Sequence, residues 1–228
     1  MFTEKTITFI SKEMSIDIPS LEEKINDIKD TKYRSICIES VEQFTNIILG
    51  NPELVGKTLG LYQHNQLYED ILEFYKKVIP STETSFQEDI LGVIQHAFCS
   101  YAEGGLLELY LRQQNEDWYP RIVISEVLLP NDIDTLSNQI TIYRGANIRE
   151  FSIKTYGQSW TEDKQSAMRF AYCFYSDKPW YEEQDRCVLQ ASINREDIFY
   201  YSKSNPEKEV IVNPEKLKSV ELTDVNKN

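Results

Sequence analysis

Histidine is nearly missing from this chain: His64 and His96 are the only two among 228 residues. Neither lies near a nucleophile elbow or in a β-type segment, so a Ser-His-Asp hydrolase is excluded, and both are read as helix residues. Cysteine is scarce as well. Cys37, Cys99, Cys173 and Cys187 are scattered without CxxC spacing, which argues against a zinc site or a disulfide framework and leaves them as small buried hydrophobes. Basic residues are outnumbered, 24 Lys and Arg against 37 Asp and Glu, for a net charge of -13. Such a field repels phosphate and excludes broad nucleic-acid binding, which needs Lys and Arg to displace counterions; a small local basic pocket remains compatible with it. No run of eighteen apolar residues is present, so no membrane helix and no membrane partner are expected. The opening MFTEKTITFISKEMS carries Glu4 and Glu13 where a signal peptide would have a basic flank and an apolar run. The expected setting is cytoplasmic, either the protein's own cell or a target cell into which it is delivered.

Internal repeats and low-complexity segments are also missing. Two partial motifs fail on spacing. Val55-Gly-Lys-Thr58 resembles the end of a phosphate loop, but the first glycine would fall at Asn51, with Gly50 one residue too early. The acidic Tyr181-Glu-Glu-Gln-Asp185 lacks the spacing of a calcium loop and reads as a solvated turn. No metal is expected.

What the chain does contain is ample core material, 41% hydrophobic with 12% aromatic, so only the polar tail Thr223 to Asn228 is expected to be disordered. Residues 1–117 read as mainly helical. Ser20-Leu-Glu-Glu23, Ser40-Val-Glu-Gln43 and Thr84-Ser-Phe-Gln87 have capping-box spacing, and each predicts a helix start. Phe86, Ile90, Val93, Ile94, Ala97, Phe98 and Tyr101 form one apolar stripe, and Leu67, Ile71, Leu72, Tyr75 and Val78 form another. Short strands are expected at Thr6 to Ile10 and Ser35 to Ile38. Residues 118–228 read as β-rich, with runs at 121–129, 139–145, 187–193 and 209–212 and one helix starting near Thr161. The predicted class is α+β: a helical N-terminal region packed on a mainly antiparallel sheet, as two regions or one continuous domain.

Three signals follow one another in the β-rich part. In Thr141-Ile-Tyr-Arg-Gly145, strand alternation puts Arg144 on the core-facing row of Ile140 and Ile142. A charge on that row needs a partner; its five-donor fork suits phosphate or carboxylate, while Gly145 allows close backbone approach. In Gly157-Gln-Ser-Trp-Thr-Glu-Asp163, Thr161 reads as a helix cap, and Ser159, two residues earlier in the preceding strand, has a hydroxyl able to orient another polar group. In Glu207-Lys-Glu209, ahead of Val210, alternation sends Glu207, Glu209 and Ile211 the same way. Singly, these read as a salt-bridged strand end, a helix cap and a solvent-facing row.

In this order they resemble the ADP-ribosyltransferase superfamily, in its Arg-Ser-Glu class of toxins and arginine-modifying enzymes. The likeness spans about residues 120–220 and is strongest in YRG, SWTxDxxxAxxFA and EKEVIV. It implies a split antiparallel sheet and NAD as substrate. By this resemblance Arg144 contacts NAD phosphate or ribose, Gly145 the nicotinamide amide, and Ser159 orients catalytic Glu209 while Glu207 activates the acceptor. Thr161 ends a Ser-Trp-Thr where the family has Ser-Thr-Ser. Tyr200 to Pro206 would be the recognition loop. Cys173 to Arg186 would cover the cofactor, with Tyr175, Trp180 or Tyr181 stacking on nicotinamide.

The activity implied is mono-ADP-ribosyl transfer to a macromolecular acceptor, with protein arginine favoured by a Glu at the first acid position, as in a toxin or effector. A neutralising antitoxin or immunity protein is the partner such an enzyme would need. The alternatives are an NAD glycohydrolase, a transferase acting on nucleic acid, and an inactive binding or immunity module.

Overall fold

The computed structural model describes residues 1–57, 63–79, 85–113, 119–178 and 181–225, with the side chains of 85–89 and 225 left out of the description. Two compact units divide between Val123 and Ile124.

The first unit, Met1–Val123, carries α1 (Glu4–Lys12), α2 (Ile18–Asn26), α3 (Thr31–Gly50), α4 (Gln66–Val78) and α5 (Ser85–Leu111). Acceptor side chains start most of them: Thr3, Asp17, Asp30 and Asn65 each take a first-turn backbone N–H of α1 to α4. The two expected strands are helical instead. Thr6, Phe9 and Ile10 are buried on one side of α1, and Tyr33, Cys37, Val41, Phe44 and Ile48 recur along α3 at three- and four-residue intervals. Over the longer window the helical period outweighs local β-branching. Two expected starts move for the same reason. Ser20 lies inside α2, whose cap is Asp17, and Ser40 is buried in mid-α3, capped by Asp30. Thr84 falls outside the described residues, although α5 does begin at Ser85. The helix breaks at Gly104–Gly105, where Gly105 has φ of 66°.

The expected 121–129 strand does not form. Arg121 and Val123 bond back to Asp17 and Ser15, with one bridge at Ile16 and Ile122, while Leu128 donates to the Phe199 carbonyl. The run is divided between the units and never pairs along its length.

The second unit, Ile124–Asn228, holds β1 (Gln139–Asn147), α6 (Ile148–Ile153), β2 (Ser159–Thr161), α7 (Lys164–Tyr172), β3 (Arg186–Asn194), β4 (Ile198–Tyr201), β5 (Glu209–Val212) and β6 (Lys218–Val225). All pairings are antiparallel, in the order β4-β5-β2-β1-β3-β6. With the five helices of the first unit the described chain is α+β. Alternation sorts the sheet into two faces. Ile142, Ala146, Trp160, Leu189, Val210 and Val212 build the larger core on one. On the other, Tyr143 and Val188 receive Ala167 and Ala171 of α7.

The sheet is thinnest at its middle. β1 and β3 pair over nine residues each, whereas β1 and β2 pair only at Tyr143 and Thr161. Beyond Tyr143 the two strands no longer pair, and the Arg144 side chain lies at that fork.

Candidate active site

Arg144 pairs with Leu189 and so lies on the larger core's row of β1, as its alternation with Ile140 and Ile142 predicts. Its partner there is a residue the sequence reading missed. Nε donates to Glu150 Oε2 and Nη2 to Glu150 Oε1, both at 3.0 Å, a two-pronged ion pair in which neither side chain is more than a quarter exposed. Nη1 donates to the Ser159 carbonyl at 2.8 Å. Glu150 also accepts the Gly157 N–H at 3.0 Å. Burial pushes the Glu150 carboxyl up, but the Arg144 charge and hydrogen bonds and the Gly157 N–H outweigh it and hold the group below the ordinary carboxylate range. An acid in the first turn of α6, after the Asn147 cap, reads in sequence as a helix-dipole partner. Only the turn of the chain after α6 brings Gly157 and Ser159 back to it.

Gly157 makes room for this cluster. A Cβ there would sit 2.5 Å from Arg144 Nη2. Gly145 has a different neighbour from the one expected of a ligand-facing glycine: a Cβ would meet the Ala167 carbonyl at 2.4 Å and the Ala171 nitrogen at 2.5 Å. Its bare face is taken up by the α7 backbone.

Ser159 and Glu209 stand on neighbouring strands, on the face opposite Arg144. β2 and β5 pair Ser159 with Ile211 and Thr161 with Glu209. Ser159 Oγ donates diagonally to Glu209 Oε1 at 2.6 Å, the short distance of a charge-assisted bond. Burial raises the Glu209 carboxyl to about 7; the Ser159 hydrogen bond and the Arg144 charge oppose that rise, and Glu207 adds to it. Glu209 therefore stands near half ionisation at neutral pH, suited to a group that must carry charge only when required.

Glu207 does not continue the strand row. Between it and Glu209, Lys208 adopts φ of 49°, which breaks the alternation. Asn205 organises this turn, its side chain taking the Glu207 N–H and its carbonyl the Lys208 N–H, each at 2.9 Å. The side chains of 207 and 209 are thus set by a turn and a strand rather than by one pleat.

Thr161 is not the helix cap. It ends β2, its hydroxyl donates to the Glu207 carbonyl at 2.6 Å, and it accepts the Asp163 N–H at 2.9 Å. Asp163 caps α7 instead, taking the N–H groups of Gln165 and Ser166. A carboxylate two residues on outcompetes the hydroxyl, which is used to tie β2 to the turn before Glu209.

In the loop after α7, Tyr175 lies under the buried Arg186 guanidinium, 6.0 Å from its ring centroid, and Tyr181 donates to the Ala171 carbonyl at 3.3 Å. Trp180 is outside the described residues. Cys173 in the same loop is exposed, unlike the other three cysteines. In the expected recognition loop, Tyr200 and Tyr201 belong to β4, Lys203 N–H donates to Asp132, and the hydroxyls of Ser202 and Ser204 are 2.9 Å apart.

Both histidines belong to the first unit. His96 is in α5, but His64 precedes α4, stacked on Tyr68 and 3.2 Å from Glu103, and is not helical. Among the described residues no group of three or more His, Cys, Asp or Glu could hold a metal ion, and no helix is long and apolar enough to cross a membrane. Compared with known proteins, the chain matches no family model, no curated protein and no solved structure.

Proposed function

We propose that the protein is an NAD-dependent mono-ADP-ribosyltransferase that cleaves the nicotinamide–ribose bond and transfers ADP-ribose to a macromolecular acceptor, with protein arginine the favoured target. The observation that carries this reading is the Ser159–Glu209 hydrogen bond, joined through the Ser159 backbone to Arg144. Three residues singled out on separate sequence motifs meet within one network.

The chemistry asks for such a network. Breaking the bond between nicotinamide and ribose develops positive charge on the sugar, as in glycoside hydrolysis. A carboxylate beside it stabilises charge that the ground state lacks, and interactions of that kind raise the rate. At ~4 Å and an effective dielectric near 20 the attraction is about 4 kcal/mol, or roughly a thousandfold in rate. Glu209 supplies this carboxylate, and Ser159 holds its Oε1 and favours the ionised form. In this reading Glu207, on the turn ahead, takes a proton from an incoming acceptor.

Arg144 takes a modified part in this scheme. Its Nε and Nη2 edge is committed to Glu150 and its Nη1 to Ser159, so it braces β2 and sets a positive potential near Glu209 rather than offering that edge to a phosphate. Gly145 lets α7 close on β1 and Thr161 fixes the turn bearing Glu207, so both shape the site through the backbone.

NAD labelled on the adenylate, incubated with wild type or Glu209→Gln and cell lysate, tests the reading. Label on protein that disappears in the variant is expected. Nicotinamide released without transfer would make the enzyme a glycohydrolase, label on nucleic acid would move the acceptor class, and NAD binding without turnover would leave a binding or immunity module.

A further inference from the structure

We infer that Glu150 is a positioning residue: by gripping Arg144 at two points and Gly157 at a third, it fixes where β2 leaves β1 and so holds Ser159 against Glu209. The inference rests on the proposed role of Glu209 as the working carboxylate.

The geometry supports this in three ways. First, the β1–β2 ladder consists of the single pair Tyr143 and Thr161, so the ladder itself sets little of the position of Ser159. Second, the missing connections are supplied by one carboxylate. Glu150 takes Nε and Nη2 of Arg144 from β1, one residue past its pair with β2, and the N–H of Gly157 from the approach to β2. Arg144 then takes the Ser159 carbonyl. A closed path thus runs from β1 through Glu150 to the chain on both sides of Gln158. Third, the fit is close enough that only glycine is accommodated at 157 without moving the guanidinium.

Glu150 also has an electrostatic consequence. The charged groups bearing on Glu209 are Glu207 from the preceding turn and Arg144 from β1. On that face the paired strands carry the hydroxyls of Ser159 and Thr161 from β2 and Tyr200 from β4, whereas Tyr201 packs into the larger core on the other face. Glu150 partly neutralises Arg144. Without that carboxylate the full cationic field reaches Glu209 and favours its ionised form. A residue that merely filled space would not shift the titration of a carboxyl on the opposite face of the sheet.

The test is the side-chain carboxyl titration of Glu209, followed by carbon-detected NMR and assigned by its loss in Glu209→Gln. Glu150→Gln would lose the Ser159 hydrogen bond and the masking of Arg144 together, and the two move Glu209 in opposite directions. In Glu150→Asp, which keeps the charge but is one methylene too short to span Arg144 and Gly157, the midpoint is expected to rise by roughly half a pH unit or more as Ser159 leaves Glu209. An unchanged midpoint in a folded Glu150→Asp protein overturns the inference. Should Glu150→Asp fail to fold, Glu150→Gln decides by amide exchange: with the charged grip gone, exchange of the Gly157 N–H should accelerate tenfold or more, and unchanged exchange overturns the inference. Neither measurement requires turnover, so a wild-type protein without NAD cleavage would end the proposed activity while leaving this result to stand on its own. Where wild type does cleave NAD, kcat should fall tenfold or more in Glu150→Asp with KM changed less than twofold.

Discussion

Ser159 Oγ lies 2.6 Å from Glu209 Oε1, across two strands that pair these residues not with each other but with Ile211 and Thr161. The bond is diagonal, so it depends on the register of β2 against β5 and on the side-chain rotamers together. Burial works against the charge on Glu209 and this bond works for it. Removing the hydroxyl in Ser159→Ala leaves burial and Glu207 less opposed. The alkaline-rising limb of NAD cleavage should move up by about one pH unit, and the rate at pH 7 should fall about fivefold, in line with the loss of one hydrogen bond to a charged group. A pH–rate profile of both proteins checks it.

Glu209 also gives stability a pH dependence of predictable sign. Folding raises its proton affinity from the ordinary 4.5 to about 7. The folded state therefore holds an extra proton between those values, and its stability falls as pH rises through that window. Glu209→Gln removes this contribution. At pH 8 the variant should be more stable than wild type by up to about 3 kcal/mol, with the advantage vanishing below pH 4.5. Urea unfolding at pH 4.5, 6 and 8 measures the difference. The same substitution should lower NAD cleavage by about two to three orders of magnitude.

Two glycines should separate stability from activity. In Gly145→Ala the new methyl meets α7 backbone atoms at 2.4 and 2.5 Å, which cannot yield without moving the helix. A loss of about 1–3 kcal/mol in chemical denaturation is expected. In Gly157→Ala the obstacle is the end of the Arg144 side chain, which can swing away. Stability should change by less than about 1 kcal/mol, while NAD cleavage should drop as Arg144 leaves Glu150.

Glu207→Gln should divide the two halves of the reaction. On the proposed mechanism the working carboxylate remains at Glu209, so nicotinamide release should persist within about threefold, whereas transfer to protein should fall by about 10²-fold or more, the usual weight of a general base. Transfer equal to wild type would remove Glu207 from the mechanism.

Much of the second unit was legible in sequence because its strands carry period-two rows and its turns carry Pro, Asn and Asp. The runs at 139–145, 187–193 and 209–212 became β1, β3 and β5 with small changes at their ends. The run at 121–129 looked no different, yet it found no partner strand, since pairing depends on what lies alongside. The first unit misled locally for a related reason. Thr6 to Ile10 and Ser35 to Ile38 carry β-branched residues at four of five and two of four positions, but their longer helical stripes bury more apolar surface than a short strand would.

By itself the sequence determined the α+β class, the order of the three candidate motifs and the presence of Arg144, Ser159 and Glu209 in strands, all consequences of periodicity and residue type. Tertiary structure alone decided the rest. It placed Glu150 on Arg144, turned Glu207 out of line through Lys208, gave Gly145 to α7 and moved the helix cap from Thr161 to Asp163. Each of these depends on which of several acceptable polar or small neighbours comes within about 3 Å. Hydrogen bonds and close packing act at that range, and a chain read in one dimension specifies only the candidates.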